Sequence, residues 1–243
     1  MKSRLIIKSS LVIIYLLAIF FTACDEGNKS VNENEGETNN NNTYDIETKG
    51  IPRFVGVNYI ELEKIYRISK FRSGVGHDYS DDFESCRSMK HYFQPKNAVD
   101  WTTVKIFSPV SGTVTESDEG WAGTQVRIQC EEYPAFYFIL FHVNLTDSLE
   151  VDDQVTAGQQ LGNHIGSQTM SDIAVGVNTL NGWKLISYFE VMIDSLFQDY
   201  QARGLNSRDE IIISRDARDA DSLICAGERF TNDSKLEDWV ILN

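Results

Sequence analysis

Between Val104 and His142 the chain reads as four short β-rich runs, Val104 to Ser108, Gly112 to Glu116, Thr124 to Cys130 and Ala135 to His142, separated by Gly, Pro, Ser and Asp. Runs of this length bounded by such residues are strands joined by tight turns. The last, Ala-Phe-Tyr-Phe-Ile-Leu-Phe-His, is apolar on both faces, as expected for a strand buried between two layers. Val126 to Cys130 alternates instead, with Cys130 on the apolar side as a buried, inert thiol. No segment repeats at a period of about 20 to 50 residues, which argues against a solenoid.

The N-terminal end is built differently. Lys2, Arg4 and Lys8 precede an apolar run from Leu11 to Phe21, too short to span a bilayer as a mature helix, which marks residues 1–23 as an export signal. Phe21-Thr22-Ala23-Cys24 resembles the lipobox of bacterial lipoproteins, and this resemblance implies lipidation of Cys24 and anchoring to a membrane of the cell envelope. Residues 24–50 are rich in Asn, Glu, Gly and Thr and cannot bury enough surface to offset their ordering entropy. They are expected to form a disordered tether about 25 to 30 Å across, at about 5 to 6 Å times the square root of residue number.

The remaining residues, 51–243, suffice for one domain with a proper core. The formal charge of −14 becomes three units more negative once Lys2, Arg4 and Lys8 leave with the signal. So acidic a chain is a poor partner for nucleic acid or anionic lipid head groups. Cys86, Cys130 and Cys225 allow three single bridges in an exported protein. A Cys86–Cys225 bridge is the expected one, tying the C-terminal segment to the region around His77.

Four phrases occur in a telling order: Ser108-Pro109-Val110-Ser111-Gly112-Thr113-Val114, then Gly123 to Ile128, then Phe141-His142-Val143, then Val151 to Gly162. Together with His77-Asp78-Tyr79-Ser80-Asp81, they resemble the lysostaphin-like zinc peptidases over about residues 74 to 191. The resemblance implies an antiparallel β-roll or sandwich of the duplicated hybrid motif type, hence a mainly β fold, at residues 51–191. The turn phrases are also similar to those of biotinyl and lipoyl carrier domains, but Lys90 in Ser88-Met89-Lys90-His91 precedes the strands and lacks the flanking hairpin a carrier lysine needs.

The lysostaphin-like resemblance implies a zinc site with three protein ligands and an open position for water. Carried over by motif, His77 and Asp81 are metal ligands and His142 assists catalysis. The later H-x-H aligns with Ile186-Ser187-Tyr188, ahead of Phe189-Glu190-Val191, and both of its histidines are absent. A tyrosine at 188, neutral with an ordinary pKa near 10, is a poor substitute for imidazole. Two ligands hold zinc weakly unless His91 or His164 reaches the metal from another side. The polar stretch from Gly76 to Phe93 is expected to line the pocket, with Arg87 and Lys90 available to a carboxylate and Tyr79 or Tyr92 to a sugar ring.

Beyond residue 191, Met192, Leu196, Phe197 and Tyr200 fall at helical spacing with Gly204 as a stop, and Ser207-Arg208-Asp209-Glu210 has the form of a capping box. Residues 192–243 are thus expected to be a helical extension packed on the sheet, covering one edge. Two functions follow from the sequence. In the first, a membrane-anchored lipoprotein carries a degenerate domain that binds peptidoglycan or an envelope protein without bound zinc. In the second, a rearranged third ligand keeps zinc and peptidoglycan cleavage.

Overall fold

The computed structural model describes residues 42–243. The expected export signal, the expected lipidation site Cys24 and residues 24–41 of the expected tether lie outside the described residues. Helix α1 (Ile46–Lys49) precedes strands β1 (Ile65–Ser69), β2 (His91–Pro95), β3 (Lys105–Phe107), β4 (Gly112–Gly120), β5 (Gly123–Cys130), β6 (Phe136–Leu145), β7 (Gln154–Val155), β8 (Gln160–His164), β9 (Ser171–Thr179) and β10 (Gly182–Ile186). Helices α2 (Asp194–Gln201) and α3 (Arg215–Ala220) follow, then β11 (Cys225–Ala226), β12 (Arg229–Phe230) and β13 (Trp239–Ile241).

The main sheet runs β13-β1-β2-β9-β6-β5-β4-β7, with β10 on β9, β8 on β6 and β3 on β8, and each of these pairings is antiparallel. The mainly β, antiparallel architecture expected from the sequence is thus present. All four strands read between Val104 and His142 form. Strand β6 is covered on both faces: Phe136, Phe138 and Leu140 join the main core, while Ile139 and Phe141 join a second cluster with Phe71, Met89, Ala174 and Leu185. That explains why its sequence does not alternate.

Strand β9 organises the molecule. One of its edges carries β6 and the other is shared by β2, along residues 171–173, and β10, along residues 175–179. Gly176 is required there, since a Cβ would come within 1.8 Å of the Trp183 ring. Strands β4 and β5 close at Gly120 and Gly123 around Trp121-Ala122, with Gly123 at φ +86°. This is the tight hairpin for which glycine was expected.

Three boundaries differ from the sequence reading. The tether does not extend to residue 50: Tyr44 N–H donates to the Asn178 carbonyl and Ile46 is buried in the core, so two apolar side chains suffice to fix this short acidic stretch. Helix α2 buries Leu196, Phe197 and Tyr200 as its spacing implies, but Ser207 makes no capping bond. The Glu210 carboxylate accepts from the Asn206 backbone instead, and a short 3-10 turn results. Finally, the C-terminal extension is not wholly helical, because β13 pairs with β1 and becomes part of the main sheet. An unpaired β1 edge would leave backbone groups open, and a strand satisfies them where a helix cannot. Among the described residues no helix is long and apolar enough to cross a membrane.

Candidate functional site

The site forms where β2, β9 and β6 meet. Tyr92 pairs with Asp172 on one side of β9, and Phe141 pairs with Asp172 on the other. Directly opposed residues share a face, and Lys90, two residues before Tyr92, shares it too. Lys90 Nζ therefore reaches Asp172 Oδ2 at 2.5 Å, with both side chains fully buried. His142 follows Phe141 and would point to the other face in a regular strand. A register shift against β5 and a φ of +64° at His142 turn it instead, bringing Nε2 to 3.2 Å from Asp172 Oδ1. A positive φ at a residue with a Cβ is strained, and here it aims an imidazole.

The charges sort themselves accordingly. Burial opposes ionisation of Asp172, but the Lys90 ammonium, then His142, holds its carboxyl below the ordinary range. For His142, burial likewise works against the charge, yet contact with the Asp172 carboxylate raises its pKa above the usual value. Its Nδ1–H donates to the Ala122 carbonyl at 2.9 Å, so Nε2 carries the second proton when the ring meets Asp172 as an imidazolium. Both contacts lie at ion-pair distance but off hydrogen-bond geometry. Neither buried Asp172 oxygen has a well-aligned donor.

Lys90 is further enclosed by the rings of Phe141, Tyr79 and Tyr92, at 4.1, 4.9 and 5.0 Å from Nζ. Burial pushes the Tyr79 phenol up to about 12 and Tyr92 higher still. His77 joins from the loop above: its Nδ1 donates to the Asp78 carbonyl at 2.9 Å and its Nε2 lies 3.2 Å from Lys90 Nζ. Gly76 permits that approach, because a Cβ there would meet Tyr92 Oη at 2.1 Å. His164, on β8 beside Val143, accepts from Gly166 N–H at Nδ1, leaving a buried Nε2–H without a well-formed partner. Burial first, opposed by Met170 and aided by the charge of His142, holds its pKa down at about 4.

The other residues singled out in the sequence lie elsewhere. Asp81 does not face this cluster with free oxygens: it accepts from Phe83, Glu84 and Leu185 N–H, and with Asp82 it closes the outer edge of β10. Ile186-Ser187-Tyr188 is not opposite His142 either. Tyr188 is a core residue donating to the Val57 carbonyl, and Ser187 meets His91. His91 faces away from Lys90 by strand alternation and bridges the Ser69 carbonyl to Ser187 Oγ, with its pKa lowered to about 4 by burial. Arg87 pairs with Glu84 and Asp219 in a clasp closed by the Cys86–Cys225 disulfide, the pairing expected of these cysteines; Cys130 is buried and free.

Sequence reasoning missed two residues. Asp172 is the single acid within Ser171-Asp172-Ile173-Ala174-Val175, and an acid inside a β-branched, apolar run is the signal that could have found it. Trp121, 89% exposed at the tip of the β4–β5 hairpin, adjoins Ala122, whose carbonyl fixes His142.

The donors present do not fit a zinc ion. A catalytic zinc needs three neutral or anionic ligands, and here an ammonium lies between the Asp172 carboxylate and His77. The Asp81 oxygens are engaged by backbone. Among the described residues no group of three or more His, Cys, Asp and Glu is placed to hold a metal.

No family model matches the sequence, and no curated protein does. Part of the chain is similar in structure to a glycyl-glycine endopeptidase candidate from Ruminococcus gnavus, at 17% identity and TM-score 0.34 over 42% of this chain and 43% of that one. It is similar to lysostaphin at 15% identity and TM-score 0.30, over 46% and 49% of the two chains. A chain of the SpoIIQ–SpoIIIAH pore-forming complex overlaps 58% of this chain and 90% of its own length, at 14% identity and TM-score 0.39. The chain spans less than half the length of the endopeptidase candidate and of lysostaphin. Overlaps this weak carry no weight for function.

Proposed function

We propose that this chain is a lipid-anchored bacterial envelope protein whose lysostaphin-like domain binds peptidoglycan without cutting it. One observation carries the reading: Lys90 places its own cation 2.5 Å from Asp172 and 3.2 Å from His77, in the space where a catalytic metal would need free donors. Neither a lysine ammonium nor an amide formed from it can act as a Lewis acid or lower the pKa of a bound water as zinc does. The exposed Trp121, one residue before the Ala122 carbonyl that holds His142, offers a flat apolar face suited to sugar rings. The export signal and the Cys24 lipobox supply the anchor, and the acidic Asn-rich tether the reach.

Elemental mass spectrometry and peptidoglycan co-sedimentation of residues 42–243, prepared without chelators or a histidine tag, test this. The expected result is metal far below one per chain, no release of muropeptides, and binding that survives His77→Ala but weakens in Trp121→Ala. Near one zinc per chain, lost in His77→Ala, together with muropeptide release, overturns it in favour of a hydrolase. Metal-free protein that ignores peptidoglycan shifts the search to an envelope protein partner.

A further inference from the structure

The contact between Lys90 and Asp172 is unlike the other ion pairs in the molecule. At 2.5 Å it is shorter than an ordinary charge-assisted contact, its exposure is 1% and 0%, and neither carboxylate oxygen has an aligned hydrogen-bond donor. Asp172 stands on β9 and Lys90 immediately precedes β2, the adjacent antiparallel strand, with the Phe141, Tyr79 and Tyr92 rings excluding water around Nζ. Two charges held together in a dry interior but poorly hydrogen-bonded are at a disadvantage against a neutral arrangement of the same atoms. Proton transfer gives that arrangement as an amine and an acid, and condensation of these to an amide, with loss of water, makes the neutralisation permanent.

From this geometry we infer that Lys90 and Asp172 form an intramolecular isopeptide bond that ties β2 to β9. One ammonium proton passes across the short contact to Asp172 Oδ2, leaving a neutral amine and a neutral acid. The amine nitrogen attacks Cγ, forming the C–N bond, while His142 Nε2–H, 3.2 Å from Oδ1, steadies the charge that develops on that oxygen. The second nitrogen proton passes to Oδ2, with His77 Nε2 at 3.2 Å from Nζ as the nearest relay. The Cγ–Oδ2 bond breaks and Oδ2 leaves as water bearing both protons. An ammonium and a carboxylate thus become one amide and one water, with no oxidant or added reagent. Holding the reacting atoms in contact supplies the proximity that amide formation lacks in dilute solution. This bond is independent of what the domain binds, and a domain without it could still bind peptidoglycan.

Tryptic mapping of the reduced, alkylated full-length chain decides the matter. Trypsin cuts after Arg87, Lys90, Lys96, Arg127 and Lys184, so an unlinked chain yields linear peptides 88–90 and 128–184. The expected product instead is one branched peptide, residues 88–96 joined to residues 128–184, lighter than its two parts by one water molecule. In Lys90→Arg that species is lost and both peptides run separately. If the wild-type chain gives only the two linear peptides, the proposal fails, whether or not the variant folds.

Discussion

Two clusters of buried charge lie within one loop's reach of each other, and they are built on opposite principles. In the clasp, Glu84 takes two guanidinium groups: Arg72 approaches from Nε and Nη2, at 2.8 to 3.0 Å and 2.7 Å, and Arg87 Nη1 lies at 2.7 Å. Fully buried Arg218 bonds the Arg72 carbonyl, Asp238, Ser234 and the Asp221 carbonyl. Every fork has its acceptor, so desolvation is compensated and the cluster fastens the C-terminal segment to the loop. In the β2–β9–β6 corner, Asp172 has two cationic neighbours and no aligned hydrogen bond, His164 keeps an unpartnered N–H, and His142 bears a strained backbone. Unsatisfied, strained groups are kept where something other than stability uses them, and satisfied ones are architecture. The sequence motif placed His77 and Asp81 in one site; by this criterion they belong to different ones.

The largest effect is expected at the corner. Asp172→Ala removes the bond and strands Lys90 as a buried cation, lowering unfolding free energy by about 3 to 5 kcal/mol in urea titrations, whereas Lys90→Met with Asp172→Leu also lacks the bond but removes the stranded charge and recovers that part of the loss. A double variant no better than the single one would break the comparison, because packing and not charge would then be the cause. In the clasp, Cys86→Ser with Cys225→Ser is expected to cost about 2 to 4 kcal/mol by releasing the unfolded chain, since the bridge spans 139 residues. That loss is expected to spare the spectral and binding properties of the corner.

The next effect is on pH dependence. His164 ionises at about 4 in the folded chain and near 6.5 in the unfolded one. Its contribution is complete above pH 6.5 and is lost as pH falls toward 4, because the unfolded chain takes up the proton first. His164→Leu should flatten the acid limb of stability against pH by about 1.4 kcal/mol per pH unit. Where Lys90 and Asp172 are unlinked and the carboxylate is free, His142, raised above 6.5, acts in the opposite sense: its contribution is present below 6.5 and fades as pH rises through the folded value, and His142→Gln should remove that alkaline decline. The smallest effect is a surface control. Arg53→Ala, at an ion pair with 50% and 71% exposed partners, should change stability by less than about 1 kcal/mol.

The sequence made the sheet legible because its strands are local statements. Val126 to Cys130 alternates, Ala135 to His142 does not, and Gly120 to Gly123 closes a hairpin, each within a few residues. The buried face of α2 was legible from its period, whereas three cysteines left three pairings open and the fold decided for Cys86–Cys225. His142, expected from the resemblance to assist catalysis, lies in the corner beside Asp172. The capping box failed because Glu210 found a nearer backbone donor, and the strand character of Trp239 to Ile241 was invisible because it depends on an open β1 edge more than 160 residues away in sequence.

By itself, then, the chain determined a mainly β domain and an acidic charge balance, since composition, period and turn residues are properties of neighbours in sequence. Only the tertiary structure decided which groups meet. Lys90, His142 and Asp172 are brought together by two strand registers, a bulge and one positive φ. A one-residue slip in either register would turn Asp172 to the opposite face, which is why no spacing rule along the chain could have named its partners.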